Sequence, residues 1–401
     1  MDEAAERATF RDVFAAPEFR TLWVAQVASV TGDQLARVAL TVLVYDRTHS
    51  ALLAAVTYVA SIVPAFFGGV LLSGTADRLP RRAVMIACDL ARAVLVLAMA
   101  APGMPMAALI VLLAAVTLLG APFQSARTAM LPDILAGDRF ALGQAVSMTT
   151  YQLAQVGGFA AGGVVAGFLG TRTSLLADAA TFAASALLVR RGVRARPAPG
   201  AGTERRDAPL ADLTAATRLV FSNPALRTPM LLGWLSAFYN VPDGVATPLA
   251  GALGGGAVTV GLILTAQALG ATAGRIAFSR WVAPARRMRL MEPLAIAASA
   301  VLILLAVRPG LILSLAILTA SGVLACFQAP ASAAFVTAAP PERRGQAFGL
   351  ALGGMNLGQG AAMLLAGAAA GHFAPAMVIA VAGAAGTAAA VAIAIGNIRS
   401  R

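Results

Sequence analysis

Residues 13–21 read VFAAPEFRT, and residues 220–228 read VFSNPALRT. Val13-Phe14, Pro17 and Arg20-Thr21 are thus matched by Val220-Phe221, Pro224 and Arg227-Thr228 at a constant offset. Further along, Phe123-Gln124 pairs with Phe327-Gln328, Gly143-Gln144-Ala145 with Gly345-Gln346-Ala347, and Gln155 with Gln359. The basic pair Arg81-Arg82 has its counterpart in Arg286-Arg287. The offset drifts by only a few residues between these anchors. Ordered agreement at so many points identifies two copies of one unit.

The solvent of that unit follows from composition. Of 401 residues, 59% are hydrophobic and 12% charged, against roughly 45–50% and about 25% in soluble domains. Lipid must solvate most of such a chain. A formal charge of +12 suggests nucleic acid in a soluble protein. Here the basic residues are all arginines gathered in short gaps between apolar runs, as topology in a membrane requires. Basic patches interleaved with aromatics are missing, so no nucleic-acid partner is expected. Cys88 and Cys326 lie far apart inside apolar runs, without metal-ligand spacing. His49 and His372 fall at gaps between runs, and no metal or cofactor is expected. Met1 to Arg20 is polar and mixed in charge, so the first apolar run reads as a retained span, not a signal peptide.

A crossing needs about 20 apolar residues. Runs of that kind lie at 22–45, 51–74, 84–101, 106–131, 141–167 and 174–189, and again at 230–253, 258–278, 290–307, 311–335, 346–371 and 376–396. The expected fold is an all-α membrane protein of twelve transmembrane helices in two parallel-related six-helix bundles. Residues 1–189 form the first bundle, 190–228 a cytoplasmic linker with an amphipathic helix, and 229–401 the second. In the linker Leu210, Leu213, Thr217, Val220 and Phe221 recur at helical spacing; Thr9 to Phe14 reads as a shorter surface helix. With the N-terminus inside, the outer loops hold only Arg47, Arg172 and Arg308. Both termini are therefore expected in the cytoplasm of a multi-pass inner-membrane protein.

Asp33 stands near the middle of the first span, in Ser29-Val30-Thr31-Gly32-Asp33-Gln34. A charge at that depth costs roughly 2.5–3.5 kcal/mol, so it is expected to face a cavity or a partner. Arg37 follows one turn later in the favourable acid-before-base order. A neutralised structural pair and a binding or proton-coupling role are both open. By the repeat offset Asn240 matches Asp33, and Asp243 lies one turn on; Pro242 between them loosens the helix and frees backbone carbonyls. Gln34, Tyr151, Gln152, Gln155, Asn356 and Gln359 are further candidates for lining a cavity between the bundles, with Gln124 and Gln328. Asp178 lies closer to the end of its span. Asp89 and Arg92 share one face of the third span, and Arg127 ends the fourth.

Ser73-Gly74-Thr75-Ala76-Asp77-Arg78-Leu79-Pro80-Arg81-Arg82 resembles the loop 2–3 motif of the major facilitator superfamily, with Ser73 and Pro80 at two glycine positions. That resemblance implies a cytoplasmic latch of Asp77, Arg78, Arg81 and Arg82, with Asp77 meeting the eleventh helix near Gly345; Asp89, Arg92 and Arg127 read as an ionic network supporting it, with direct substrate contact as the alternative. Gly158-Phe159-Ala160-Ala161-Gly162-Gly163 resembles the end of the antiporter motif, with Phe159 in place of a proline. The chain as a whole is similar to the drug:proton antiporter branch that includes macrolide-efflux and enterobactin-exporter-like proteins. Its most similar segments are Phe19-Arg20-Thr21-Leu22-Trp23, Gly32-Asp33, Ala76-Asp77-Arg78, Pro122 to Arg127 with Leu131-Pro132-Asp133, and Asp178 to Phe182.

The expectation is a monomeric, proton-coupled exporter of small amphipathic or drug-like molecules, working by alternating access. A lipid or lysolipid flippase, or an uptake permease of the same fold, is the alternative, and a membrane sensor the non-transport one. Neither a nucleophile with a nearby base nor a nucleotide-binding loop is present in the sequence, so no enzyme is expected.

Overall fold

The structure is a computed structural model and describes residues 9–72, 79–197, 217–340 and 343–399. Every described element is helical. In order they are α1 (Phe10–Ala15), α2 (Pro17–Thr48), α3 (Ala51–Ala60), α4 (Val63–Leu72), α5 (Arg81–Met99), α6 (Met106–Ile134) and α7 (Asp138–Gly192). After the linker come α8 (Pro224–Trp234), α9 (Ser236–Tyr239), α10 (Val241–Gly244), α11 (Ala246–Ala252), α12 (Ala257–Trp281) and α13 (Pro284–Ala300). A 3₁₀ segment (Val301–Val307) leads to α14 (Leu311–Leu324), a second (Ala325–Phe327) to α15 (Gln328–Ala338), and α16 (Arg344–Ala370) and α17 (Pro375–Arg399) close the chain.

Proline decides several of these starts. Pro17, Pro224, Pro284 and Pro375 each open a helix, where a missing N–H is no loss because the first turn has no acceptor for it. Thr9 caps α1, donating from its hydroxyl and its backbone N–H to Asp12 at 2.7 and 2.8 Å. Those bonds, led by the hydroxyl, hold the Asp12 carboxyl below its usual range. A short helix is thus present where the sequence places one near Thr9–Phe14. In the linker, residues 217–222 are helical and Val220 is buried; Leu210 and Leu213 lie outside the described residues.

Nine helices among the described residues are long and apolar enough to cross a membrane. Two further stretches, and one of the nine, depart from a simple apolar helix for identifiable reasons. Arg81–Met99 carries Asp89 and Arg92 within it. Residues 224–252 are cut into four short helices. Asp138–Gly192 runs on for 55 residues, about 80 Å at 1.5 Å per residue, far beyond a hydrocarbon core of about 30 Å. Its break is at Gly170, whose φ of 80° and ψ of 166° leave the helical region.

The chain divides into two compact units. Unit 1 comprises Met1–Leu40 and Ala60–Thr203, and unit 2 comprises Thr41–Val59 and Glu204–Arg401. Thr41–Val59 joins unit 2 through close packing: a Cβ on Gly367 of α16 would stand 2.4 Å from Ala55 Cβ and 3.1 Å from Ala51 O. The internal repeat has a packing counterpart. Val13, Phe19, Leu131 and Leu135 form one core in unit 1. Val220, Leu226, Phe335 and Ala339, their partners by the repeat offsets, form the corresponding core in unit 2.

Small residues set the helix spacing, as expected where lipid supplies no hydrophobic drive between helices. A Cβ on Gly270 of α12 would be 2.2 Å from Thr319 O of α14, and one on Gly322 would be 2.3 Å from Gln267 O. Gly69 in α4 faces open space. Gly270→Ala is therefore expected to destabilise by about 1–3 kcal/mol, whereas Gly69→Ala is expected to stabilise by about 0.5–1 kcal/mol through helix propensity. Thermal unfolding in detergent checks the opposite signs.

Candidate functional site

Unit 1 gathers its buried charge around one residue. Arg92 of α5 is 4% exposed, and its Nη2 donates to both carboxylate oxygens of Asp33, at 2.7 and 2.9 Å. Its Nη1 lies 3.7 Å from Asp89 Oδ1, one turn back on the same helix. The guanidinium also sits over the Phe182 ring at 4.0 Å from the centroid, an arrangement strengthened by desolvation. Asp178, 1% exposed, completes the group within electrostatic range of Asp33 and Arg92. It reaches this place because Gly32 lets α7 come close: a Cβ there would meet Asp178 Oδ1 at 2.4 Å and Thr181 Oγ1 at 2.2 Å.

One expectation is corrected by this geometry. The partner of Asp33 is Arg92, 59 residues away, not Arg37 on the next turn. Arg37 Nη2 donates instead to Ser61 O at 2.9 Å, and its guanidinium lies 5.9 Å from the Phe159 ring centroid. Asp89 and Arg92, which the sequence groups with the cytoplasmic latch, stand in contact with one another and, through Arg92, with Asp33. A guanidinium shared by two carboxylates at close range outweighs the helical i, i+4 contact, because the second charge is also removed from water. Tyr151 is close enough to sense the charges of Arg37, Asp33 and Arg92. Gln152 and Gln155 lie nearby in sequence on α7 and are half-buried.

Gln34 is buried against the glycines of the antiporter-like motif. A Cβ on Gly158 would lie 2.8 Å from Gln34 Cβ, and one on Gly162 would lie 3.1 Å from Leu35 Cα. These two glycines, with Gly163 buried beside them, let α2 and α7 touch along their backbones. Towards the helix ends, Arg127 donates to Gln26 Oε1, and Gln26 Nε2 to Ser147 O at 3.3 Å. Arg81 bonds Asp133 and Ala129 O, both at 2.8 Å, and Arg82 donates to Arg190 O. Asp77 and Arg78 lie outside the described residues.

Unit 2 carries a neutral counterpart built from amides. Pro242 lacks an N–H, and Asp243 N turns back to Asn240 O at 3.1 Å, leaving the Tyr239 carbonyl without its helical partner. Gln267 of α12 takes that place, donating from Nε2 to Tyr239 O at 2.7 Å and to Asn240 Oδ1 at 3.0 Å. Gln328, at the end of the second 3₁₀ segment, donates to the Tyr239 hydroxyl, and Gln359 donates to Ser236 Oγ at 2.7 Å. Asp243 and Asn356 are half-buried in the same unit. Gln267 and Gln26 were not legible as site residues individually; an amide inside an apolar run was the available signal.

The family model described as Major Facilitator Superfamily matches residues 22–243, more than half of the 401-residue chain. No curated protein matches the sequence. Among solved structures, the nucleoside transporter NupG is similar at 16% identity and a TM-score of 0.71, over 94% of this chain and 98% of that one. A POT family transporter in complex with a thioalcohol-conjugated peptide is similar at 12% identity and 0.72, over 95% and 96%. A bacterial homologue of the iron transporter ferroportin, in an inward-facing state, is similar at 15% and 0.66, over 98% and 99%. At these identities the likeness is one of fold.

Removing one partner of a buried ion pair strands the other and costs about 3–5 kcal/mol; a lost hydrogen bond to a charged group costs about 1.5–3 kcal/mol. Arg92→Gln is therefore expected to destabilise more than Arg37→Gln. Unfolding midpoints of the two variants in one detergent check the order, and the reverse order contradicts the placement of charge described above.

Proposed function

We propose, from the premise that this chain belongs to the Major Facilitator Superfamily, that it is a proton-coupled exporter of small amphipathic molecules. That it is a membrane transporter of this fold follows from the family and from its structural likenesses. One observation supports proton coupling. Asp33, Asp89 and Asp178 crowd around Arg92, with Arg37 nearby, so carboxylates outnumber guanidiniums in a place screened from water. Such a group favours uptake of a proton or of a cationic substrate, since either restores charge balance. Asp33 is the outermost member, its side chain 31% exposed, and is the residue we assign to exchange.

A cycle follows from those positions. With Asp33 ionised, Arg92 is held between two helices, α2 and α5. A proton on Asp33 weakens that tie, and the two helices are then joined by fewer charged contacts. Substrate and proton compete for one carboxylate, which couples their movements in opposite directions. The amides of unit 2, above all Gln267, Gln328 and Gln359, offer hydrogen bonds without net charge. Tyr151 offers an aromatic face.

Export is favoured over import by the resemblance to the drug:proton antiporter branch. Twelve crossings, a linker at 190–228, cytoplasmic termini and a place in the inner membrane follow from the repeat and the arginine asymmetry, and the chain is taken to act as a monomer. In everted vesicles energised with an acid interior, adding a transported amphipathic cation is expected to discharge the pH gradient. Asp33→Asn is expected to abolish that discharge and, because the same carboxylate receives the cation, to weaken its counterflow as well. Full gradient-driven transport by Asp33→Asn removes Asp33 from the mechanism.

A further inference from the structure

Unit 1 packs Leu22, Met85, Phe123, Ala126, Met130 and Val189 into a solid core, with Ile134 against it. The repeat assigns partners to these positions: Pro229 to Leu22, Pro330 to Ala126, Ala334 to Met130 and Ala338 to Ile134. In unit 2 those partners form no core of their own, Ala338 alone packing against the edge of the neighbouring one. They line a cavity of about 880 Å³, within the range of ligand-binding pockets, about 300–1,000 Å³. Two of the exchanges, methionine and isoleucine to alanine, remove the side chains that would fill it. The neighbouring core at Val220, Leu226, Phe335 and Ala339 is kept, so the hollow is local.

Its walls state what it takes. Phe278, Met288 and Met291 continue the apolar lining, while Arg275, Arg287, Thr228 and Asn397 supply the polar part. Carboxylates are missing from the lining; Glu292 accepts a hydrogen bond from the lining residue Asn397. Arg287 is oriented by bonds from Nε to Val282 O at 2.8 Å and from Nη2 to Ser279 O at 2.6 Å. Arg280, Arg286 and Arg289 stand exposed around it, a cationic cluster of the kind that attracts acidic headgroups by about 1 kcal/mol per residue. The cavity lies at helix ends: the starts of α8 and α13, and the ends of α12, α15 and α17. Trp281, 78% exposed at the end of α12, fits the aromatic belt of a membrane interface. An apolar hollow at that depth, with arginines at its mouth, is complementary to an amphipathic anion arriving from the bilayer.

We infer that this cavity in unit 2 is a binding site for an anionic phospholipid, its acyl chain in the hollow and its phosphate at Arg287 and Arg275. The lipid takes the place of side chains that unit 1 supplies from its own sequence. Bound there, it ties the ends of five helices together, so the stability of unit 2 depends on the charge of the surrounding leaflet. The inference is independent of the transported solute.

The test uses the full-length protein, delipidated in detergent and titrated with phosphatidylglycerol or with phosphatidylcholine. Phosphatidylglycerol is expected to raise the unfolding midpoint by several degrees more, and to be retained as a one-to-one adduct in native mass spectrometry. Arg287→Gln is expected to weaken that retention about tenfold, equivalent to 1.4 kcal/mol. Because Arg287 also binds two carbonyls, a second variant restores the side chains of unit 1: Ala334→Met with Ala338→Ile. This filled variant is expected to unfold at a higher temperature without lipid and to lose the preference for phosphatidylglycerol. Equal effects of the two lipids on the native protein overturn the inference. So does a filled variant that still retains phosphatidylglycerol as the native protein does, or one whose only defect is in solute transport.

Discussion

Arg92 draws three helices of unit 1 together because its charge has nowhere else to go. Asp33 reaches it from α2, Asp89 from its own helix, and Asp178 with Phe182 from α7. In hydrocarbon each of these charges alone is costly, and together they are tolerable only while the geometry holds. The close contacts around them serve that end. Gly32 admits Asp178, and Gly158 and Gly162 admit Gln34 and Leu35. Small residues and charged residues are thus parts of one arrangement, the first permitting distances at which the second neutralise one another.

The two copies of the repeat have kept their scaffold and diverged in their interiors. Where unit 1 has Asp33, unit 2 has Asn240, and the amide network of Gln267, Gln328 and Gln359 is neutral. Charge and hydrogen bonding have been separated between two descendants of one plan. A similar divergence separates the solid core around Met130 from the hollow beside Ala334.

Much of this was legible in the sequence. Composition and the ordered anchors from Val13 to Gln359 contain the helical, two-copy plan, and depth in an apolar run marks Asp33 as exceptional. Pro242 announces a broken helix, and Gln267 meets the carbonyl it leaves free. The identity of Asp33's partner was not legible, since helical spacing brings forward Arg37 and only the tertiary fold brings Arg92 across 59 residues. The fate of Gly170 was hidden for a related reason. Glycine is common in these helices, and a positive φ is a property of the chain's path, not of the residue type.

Gly170 reduces the junction between two long helical stretches of α7 to a single non-helical residue. Ser174 Oγ closes on Gly170 O at 3.2 Å, and Thr171 Oγ1 donates across to Ala39 O of α2 at 3.4 Å. A link so short has no slack to absorb an inserted epitope or a protease cleavage sequence. Changes in chain length over evolutionary time are thereby channelled away from this corner, and relatives of this chain should align through it without gaps.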